Sequence, residues 1–155
     1  MIDLTAILSL YATKLAASAE LEAWCQLRFG KSATIFVGVD TREPPGSANA
    51  PFVVLQPGAE SAGDEVADFT YLVTVDWCVL AETVTTAGAI KTMDGLTRVD
   101  EMGRLILNTL RDASDNVTLS SWNYTIEQVE FFPMVMAGLD ITLNVPHILG
   151  GAVTL

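Results

Sequence analysis

Residues 69–80 alternate strictly between two sets of side chains, and this pattern limits the folds open to the chain. Successive side chains of a β-strand point to opposite faces of a sheet, so the alternation predicts a strand. One face takes Phe69, Tyr71, Val73, Val75, Trp77 and Val79; the other takes Thr70, Leu72, Thr74, Asp76, Cys78 and Leu80. The apolar set predicts packing against helices. The mixed set predicts a face that is partly accessible or covered by another subunit.

A second alternating segment spans residues 134–145. Its inward set is Val135, Ala137, Leu139, Ile141, Leu143 and Val145, and its outward set is Met136, Gly138, Asp140, Thr142 and Asn144. Shorter apolar runs predict strands at 34–39, 51–56 and 123–131. Pro57 and Gly58 are expected to close the second of these, and Pro133 predicts a turn before residue 134.

Helical spacing of apolar residues occurs in two places. A first helix begins after the capping residue Asp3 and extends through Leu27, with a break near Ser18, and Gly30 ends it. A second helix is predicted over 96–112. Residues 40–49 and 112–121 are expected to be loops, and residues 81–95 a connection with one helical turn near 89–93.

The predicted order of elements is α-β-β-β-α-β-β. It indicates one α+β domain over residues 1–145, with a mixed or antiparallel sheet of about five strands and two main helices packed on one face. Residues 146–155 form an uncharged, apolar C-terminal tail.

The composition excludes several classes of partner. Half of the residues are apolar, 17% are charged, and the formal net charge is −11. An acidic surface repels phosphate, so wrapping of nucleic acid and binding to an anionic membrane are not expected. Few charges among many apolar residues favour a chain that buries apolar surface against other subunits.

The two cysteines, Cys25 and Cys78, lie far apart and outside any CxxC pattern. We interpret both as buried thiols of a reducing compartment. No basic leader region or apolar span of membrane length is visible in the sequence, which predicts a cytoplasmic protein.

Residues suited to catalysis are scarce. The one histidine, His147, lies in the tail, and no spacing links it to either cysteine. The acidic residues Asp64, Glu65 and Asp68 suit either a divalent cation or a solvated loop, but they lack the spacing of a calcium-binding loop. No phosphate-binding glycine motif is present. We therefore expect neither an enzyme nor a cofactor.

Several stretches together carry a resemblance to a known family. They are an N-terminal amphipathic helix, Phe36-Val-Gly-Val-Asp40, Pro51-Phe-Val-Val-Leu-Gln56, a polar loop with Gly63 and Asp64, Phe69 to Trp77, a helix, and the strand pair Tyr124–Phe131 and Met134–Val145. In this pattern the chain resembles the tail terminator proteins of long-tailed bacteriophages, also called tail completion or minor tail proteins.

The resemblance implies a structural protein of the virion. Such a protein forms a homohexameric ring on the tail tube, ends tube polymerisation and offers a docking surface to the head–tail connector protein. The implied location is the tail neck, with assembly in the host cytoplasm. DNA is then only cargo passing through the lumen, and no catalysis is implied.

Candidate contact residues follow from charge and loop position. They are Arg42, Glu60, Asp64, Glu65, Asp68, Asp76, Arg98, Arg104 and Arg111. The loops 42–50 and 60–68 are candidate arms toward tube or connector, and the face bearing Asp76 and Cys78 is a candidate subunit contact. The three helix arginines are expected either to pair with acids of a neighbouring subunit or to be paired within the chain or solvated.

Two other functions remain open at this point. One is a head–tail joining or stopper protein of the phage neck, which would bind the portal side. The other is a small-molecule-binding domain or enzyme, which a deep apolar pocket with convergent polar groups would favour.

Overall fold

In a computed structural model of the chain, the described residues are 3–61, 68–113, 117–127 and 132–146. The helices are α1 (Leu4–Ala16), α2 (Ala19–Phe29) and α3 (Asp94–Arg111), and a short 3₁₀ turn lies at Ser47–Asn49. The strands are β1 (Thr34–Val37), β2 (Phe52–Ser61), β3 (Asp68–Leu80), β4 (Val84–Ala87), β5 (Ile90–Met93), β6 (Thr118–Glu127) and β7 (Met134–Pro146).

Five of the strands form one mixed sheet in the order β1-β2-β3-β7-β6. β1 and β2 are parallel, and every other neighbouring pair is antiparallel. The two strands with the clearest alternation, β3 and β7, lie side by side at the centre, paired from Asp68↔Pro146 to Leu80↔Met134. The α+β class and the five-stranded mixed sheet predicted from the sequence are confirmed.

The predicted break near Ser18 is confirmed, and it divides the first helical region into two helices. The Ser18 hydroxyl accepts a hydrogen bond from the Leu21 backbone N–H at 3.4 Å, so it caps the start of α2. Asp3 caps α1 in the same way through the Thr5 N–H. Gly30, at φ +68°, ends α2 in the left-handed conformation that favours glycine. The described residues thus contain three main helices rather than the two predicted.

All three helices pack on one face of the sheet. Every inward residue of the central strands from Tyr71 to Val79 and from Val135 to Val145 is buried, whereas Phe69 is half-buried. These residues form one core with Ile7, Leu15, Val99 and Ile106 of the helices. The alternation read from the sequence therefore identified the core face.

Trp77 is the largest fully buried side chain of this core. Its indole N–H donates to the carbonyl oxygen of Val99 in α3 at 2.8 Å, and its ring stacks on Tyr124 of β6 at 5.5 Å between centroids. α3 approaches the indole closely because residue 103 is a glycine. A Cβ atom there would lie 3.1 Å from Trp77 Cε2 and closer still to Cζ2.

The end of β2 was predicted wrongly. The strand continues through Pro57 to Ser61 instead of closing at Pro57 and Gly58. β1 pairs with β2 only as far as Leu55, so Pro57 lies where β2 is an edge strand, beside a register shift between Pro57 and Ala59. A proline is tolerated at an edge or a bulge because its missing N–H removes no ladder hydrogen bond there.

The connection at 81–95 was also predicted wrongly. Instead of a helical turn near 89–93, it contains the β4–β5 hairpin, which we call the hairpin arm (residues 83–93). Gly88, at φ +63°, occupies the first position of a two-residue turn, where the hairpin needs a positive φ. Its strands are short and exposed, so they bury too little to give an apolar pattern.

β6 begins at Thr118, five residues before the predicted start, and its last described residue is Glu127. It is an edge strand with mostly exposed side chains, and a register shift between Leu119 and Ser121 breaks its alternation. Residues 62–67, 128–131 and 147–155 lie outside the described part of the chain. The boundary predicted between the domain and its tail is therefore not tested.

We expect Gly103→Ala to lower the free energy of unfolding by about 1–3 kcal/mol, because the new methyl group overpacks against the Trp77 ring. This loss outweighs the gain of up to about 1 kcal/mol from alanine's helix propensity. Urea denaturation followed by Trp fluorescence measures it. Gly46→Ala is the matched control, since that site is open and its backbone is extended. Equal effects of the two substitutions would contradict the close approach of α3.

Candidate assembly surfaces

The face of the sheet opposite the helices, called here the open face, has an apolar end. Phe52, Val54 and Cys78 are buried there together with Ala50. Phe36 packs edge-on against Phe52, with ring centroids 6.1 Å apart. Half-buried Val39, Leu80, Met134 and Met136 surround this small cluster. Val39 and Ala50 belong to the β1–β2 connection, which therefore packs on the open face at this end.

The middle of the open face is acidic. Asp76, Glu127 and Asp140, called here the acidic notch, line a hollow of about 310 Å³ between β3, β7 and β6. Thr74 donates to Asp140 Oδ1 at 2.9 Å, and Gln56 Nε2 donates to Asp76 Oδ2 at 3.3 Å. None of the three carboxylates forms an ion pair with a residue that the structure describes. The notch thus presents uncompensated negative charge.

The surroundings of the notch change the pKa of Asp76. Burial raises the pKa of its carboxyl above the ordinary value, and the negative charges of Asp140 and Glu127 raise the same pKa further, against the hydrogen bond from Gln56. Space for Asp76 depends on Gly138 across the β3–β7 pair. A Cβ atom at residue 138 would lie 2.7 Å from Asp76 Oδ1.

The predicted arm residues are only partly visible. Arg42 lies in the exposed loop after β1 and pairs with Asp40 at 2.8 Å, which lowers the pKa of the Asp40 carboxyl. Glu60 is exposed near the end of β2. Asp64 and Glu65 lie outside the described residues, and for Asp68 only the backbone position at the start of β3 is described.

The three helix arginines have partners within the chain. Arg104 pairs with Asp100 one turn earlier in α3 at 2.9 Å. Arg98 lies 5.9 Å from the centre of the Phe29 ring, and Arg111 lies 5.3 Å from the centre of the Trp122 ring. These contacts fit the intrachain alternative; contact with a neighbouring subunit stays a prediction. Cys78, on the face predicted as a subunit contact, is buried, and contact of that face with another subunit stays a prediction.

The hairpin arm is the surface feature that sequence reasoning missed. The signal for it was the β-branched run before Ala87-Gly88-Ala89-Ile90. Its base is fixed to the start of α3, because the hydroxyls of Thr83 and Thr85 both donate to the Asp94 carboxylate. These two bonds lower the pKa of Asp94. Val84 is 52% exposed and Ile90 is 68% exposed.

A second hollow, of about 400 Å³, lies between the α1–α2 corner and β1, and apolar side chains such as Leu15, Leu21 and Ile35 line much of it. Its polar residues bond to each other, since Ser32 donates to Glu22 at 2.8 Å. Within the described ranges, no group of three or more His, Cys, Asp or Glu side chains is placed to hold a metal ion.

Both cysteines are free and buried, as predicted. Burial raises the pKa of the Cys25 thiol to about 11 and that of the Cys78 thiol to about 12, so neither ionises near neutral pH. The described helices include none that is long and apolar enough to cross a bilayer.

We expect Asp76→Asn to raise the free energy of unfolding at pH 7, by less than about 1 kcal/mol. The pKa of Asp76 is higher in the folded state, so its ionised form opposes folding above that pKa, and protonation relieves this cost as the pH falls. The advantage of the variant should therefore shrink below the raised pKa. Thermal unfolding at pH 7 and pH 4 checks this. Glu82→Gln, an exposed acid outside the notch, is the control; a wild type less stable than the variant by equal amounts at both pH values would contradict the assignment.

Comparison with known proteins finds little. No model of a protein family matches the chain, and no curated protein is similar to it in sequence. Among solved structures, a chain of a structure described as the virion of a native gene transfer agent (GTA) particle is similar, with 15% identity and a TM-score of 0.48. The alignment covers 90% of this chain and 94% of that chain. Values this low assign neither a family nor a function.

Proposed function

We propose that the chain is a structural virion protein that caps a phage tail tube as a homo-oligomeric ring. In that role it ends tube polymerisation and offers a docking surface to the head–tail connector protein. The observation that carries the proposal is the one-sided packing of the sheet. Helices cover one face, while three carboxylates of the open face have no ion pair among the described residues and the hairpin arm exposes Val84 and Ile90.

Repetition of one chain suits such surfaces. A contact between unlike patches of identical subunits is heterologous, and it closes into a ring when the rotation between neighbours allows. A net charge of −11 favours passage of DNA through the lumen of that ring by like-charge repulsion. The resemblance of residues 1–145 to tail terminators supports the same role, with the tube protein and the connector as partners and the tail neck as location.

The second candidate among structural phage proteins is a head–tail joining or stopper protein, which would bind the connector in preference to the tube. The small-molecule alternative would use the hollow near Leu15, Leu21 and Ile35. Its polar groups Glu22 and Ser32 already bond to each other, so they offer little to orient a ligand. We propose no catalytic role for the chain.

Tube polymerisation tests the proposal directly. Purified tail tube protein is allowed to polymerise with and without this chain, and tube lengths are measured by electron microscopy. We expect added protein to bind tube ends and to stop growth. Unchanged tube lengths together with binding to connector protein alone would replace the terminator with the stopper.

We expect Arg42→Glu to weaken capture of tube or connector protein at least about tenfold if the loop 42–50 is a docking arm, because reversing a rim charge repels the partner. Arg42 is highly exposed, so the melting temperature should stay unchanged. Pull-down over a concentration series measures the loss. Lys14→Glu on the exposed side of α1 is the matched control. Equal binding by both variants would exclude this loop as an arm.

A further inference from the structure

The hairpin arm is anchored at its base and exposed toward its tip. Thr83 and Thr85 hold it to Asp94, and the Asp94 N–H also donates to the Thr83 carbonyl oxygen at 3.1 Å. Beyond this base, the residues of β4 and all but the last residue of β5 are exposed. A two-stranded hairpin alone is marginally stable in water. Because hydrogen bonds anchor its base, the arm is already ordered for a contact outside its own fold, which lowers the entropic cost of binding.

The two faces of the arm differ. Val84 pairs with Met93 and Thr86 pairs with Lys91, and strand alternation places these four residues on one face. Thr85 lies on the opposite face, where its hydroxyl donates a hydrogen bond to Asp94. The first face thus presents an exposed apolar residue, Val84, beside the ammonium of Lys91. Residues 84–93 contain no acidic residue, in a chain of net charge −11.

The acidic notch is complementary to that face. It combines three carboxylates with the half-buried apolar side chain of Met136, and none of the carboxylates pairs with a cation in the described ranges. Lys91 likewise has no ion-pair partner among those residues. The main contact of the arm with another described element of its own chain is with α3, and Lys91 forms no ion pair with the notch of that chain.

We propose that the hairpin arm of one copy docks on the open face of a second copy, with Lys91 set among Asp76, Glu127 and Asp140 of that copy. Val84 packs beside Met136 of the second copy. The contact joins unlike surfaces, so each subunit gives one arm and receives one. This arm-to-face contact is the contact between neighbouring subunits of the proposed ring. It rests on the proposed function only for closure of the ring on a tube.

Charge reversal on either side tests the contact. We expect Lys91→Glu and Asp140→Lys, each alone, to raise the dissociation constant for self-association at least about tenfold, because like charges then oppose each other. Light scattering over a concentration series at two salt concentrations measures this constant. Lys14→Glu, which changes the net charge as Lys91→Glu does, is the control and should associate like the wild type. Glu127→Lys replaces Asp140→Lys if loss of the Thr74 hydrogen bond unfolds the latter.

An equimolar mixture of the two variants gives the sharpest result. The arm of Lys91→Glu meets the open face of Asp140→Lys, and the unchanged arm of the latter meets the unchanged face of the former. The second contact is that of the wild type, and the first sets the new acid beside the new base, so the mixture should associate more tightly than either variant alone. A mixture that stays monomeric, or a reversal without effect, overturns the proposal. A wild type that is monomeric up to about 1 mM also overturns it.

Disulfide cross-linking supplies an independent readout. The double variant Lys91→Cys with Asp140→Cys should form intermolecular disulfides under mild oxidation, whereas Lys91→Cys with Glu20→Cys on α2 should not. The two native thiols are buried, so they do not compete. Equal cross-linking in both variants overturns the contact. The tube assay distinguishes this contact from the proposed function. If Lys91→Glu still caps tubes, this contact is wrong and the proposed function stands. If the wild type self-associates but does not cap tubes, the proposed function is wrong and this contact stands.

Discussion

The packing of α3 onto Trp77 organises this molecule. Gly103 lets the helix approach the indole ring, whose N–H donates to the Val99 carbonyl oxygen, and Tyr124 stacks on the ring from β6. One side chain thus joins a central strand, an edge strand and a helix. Because a buried indole needs a partner for its N–H, this hydrogen bond also sets how α3 lies across the sheet.

The consequence of that packing is a sheet with two different faces. All three described helices pack on the core face, and among the described residues the open face is covered at its apolar end by part of the β1–β2 connection. Its centre keeps three carboxylates close together, and burial, reinforced by the charges of Asp140 and Glu127, raises the pKa of Asp76. The hairpin arm is fixed to the start of α3 through Asp94, and its strands are exposed because they do not pack into the core. The proposed assembly has its physical basis in two surfaces of one chain. The open face carries three carboxylates, and the exposed arm carries Lys91, none of them in an ion pair among the described residues.

Much of the fold was predictable because burial leaves a period in the sequence. The alternation from Tyr71 to Val79 and from Val135 to Val145 identified the two central strands and their core face. Ser18 marked a helix start because its side chain can cap one. The hairpin arm and the first half of β6 escaped prediction because exposed edge residues need not be apolar. Pro57 misled because the rule against proline in a strand holds only where both edges are paired.

For the candidate surfaces, the residues alone determined the kinds of chemistry present: an acidic chain, few cations, buried thiols and no histidine outside the tail. These follow from composition and local pattern, which need no knowledge of the fold. The tertiary structure decided which charges are already paired. It gives Arg104 to Asp100 and sets Arg111 over Trp122, while Lys91 and the acidic notch stay without an ion pair among the described residues. The Arg104–Asp100 pair is local, one turn of α3. The contact of Arg111 with Trp122 instead joins α3 to β6 through the packing of helix on sheet, and no local pattern in the sequence encodes it.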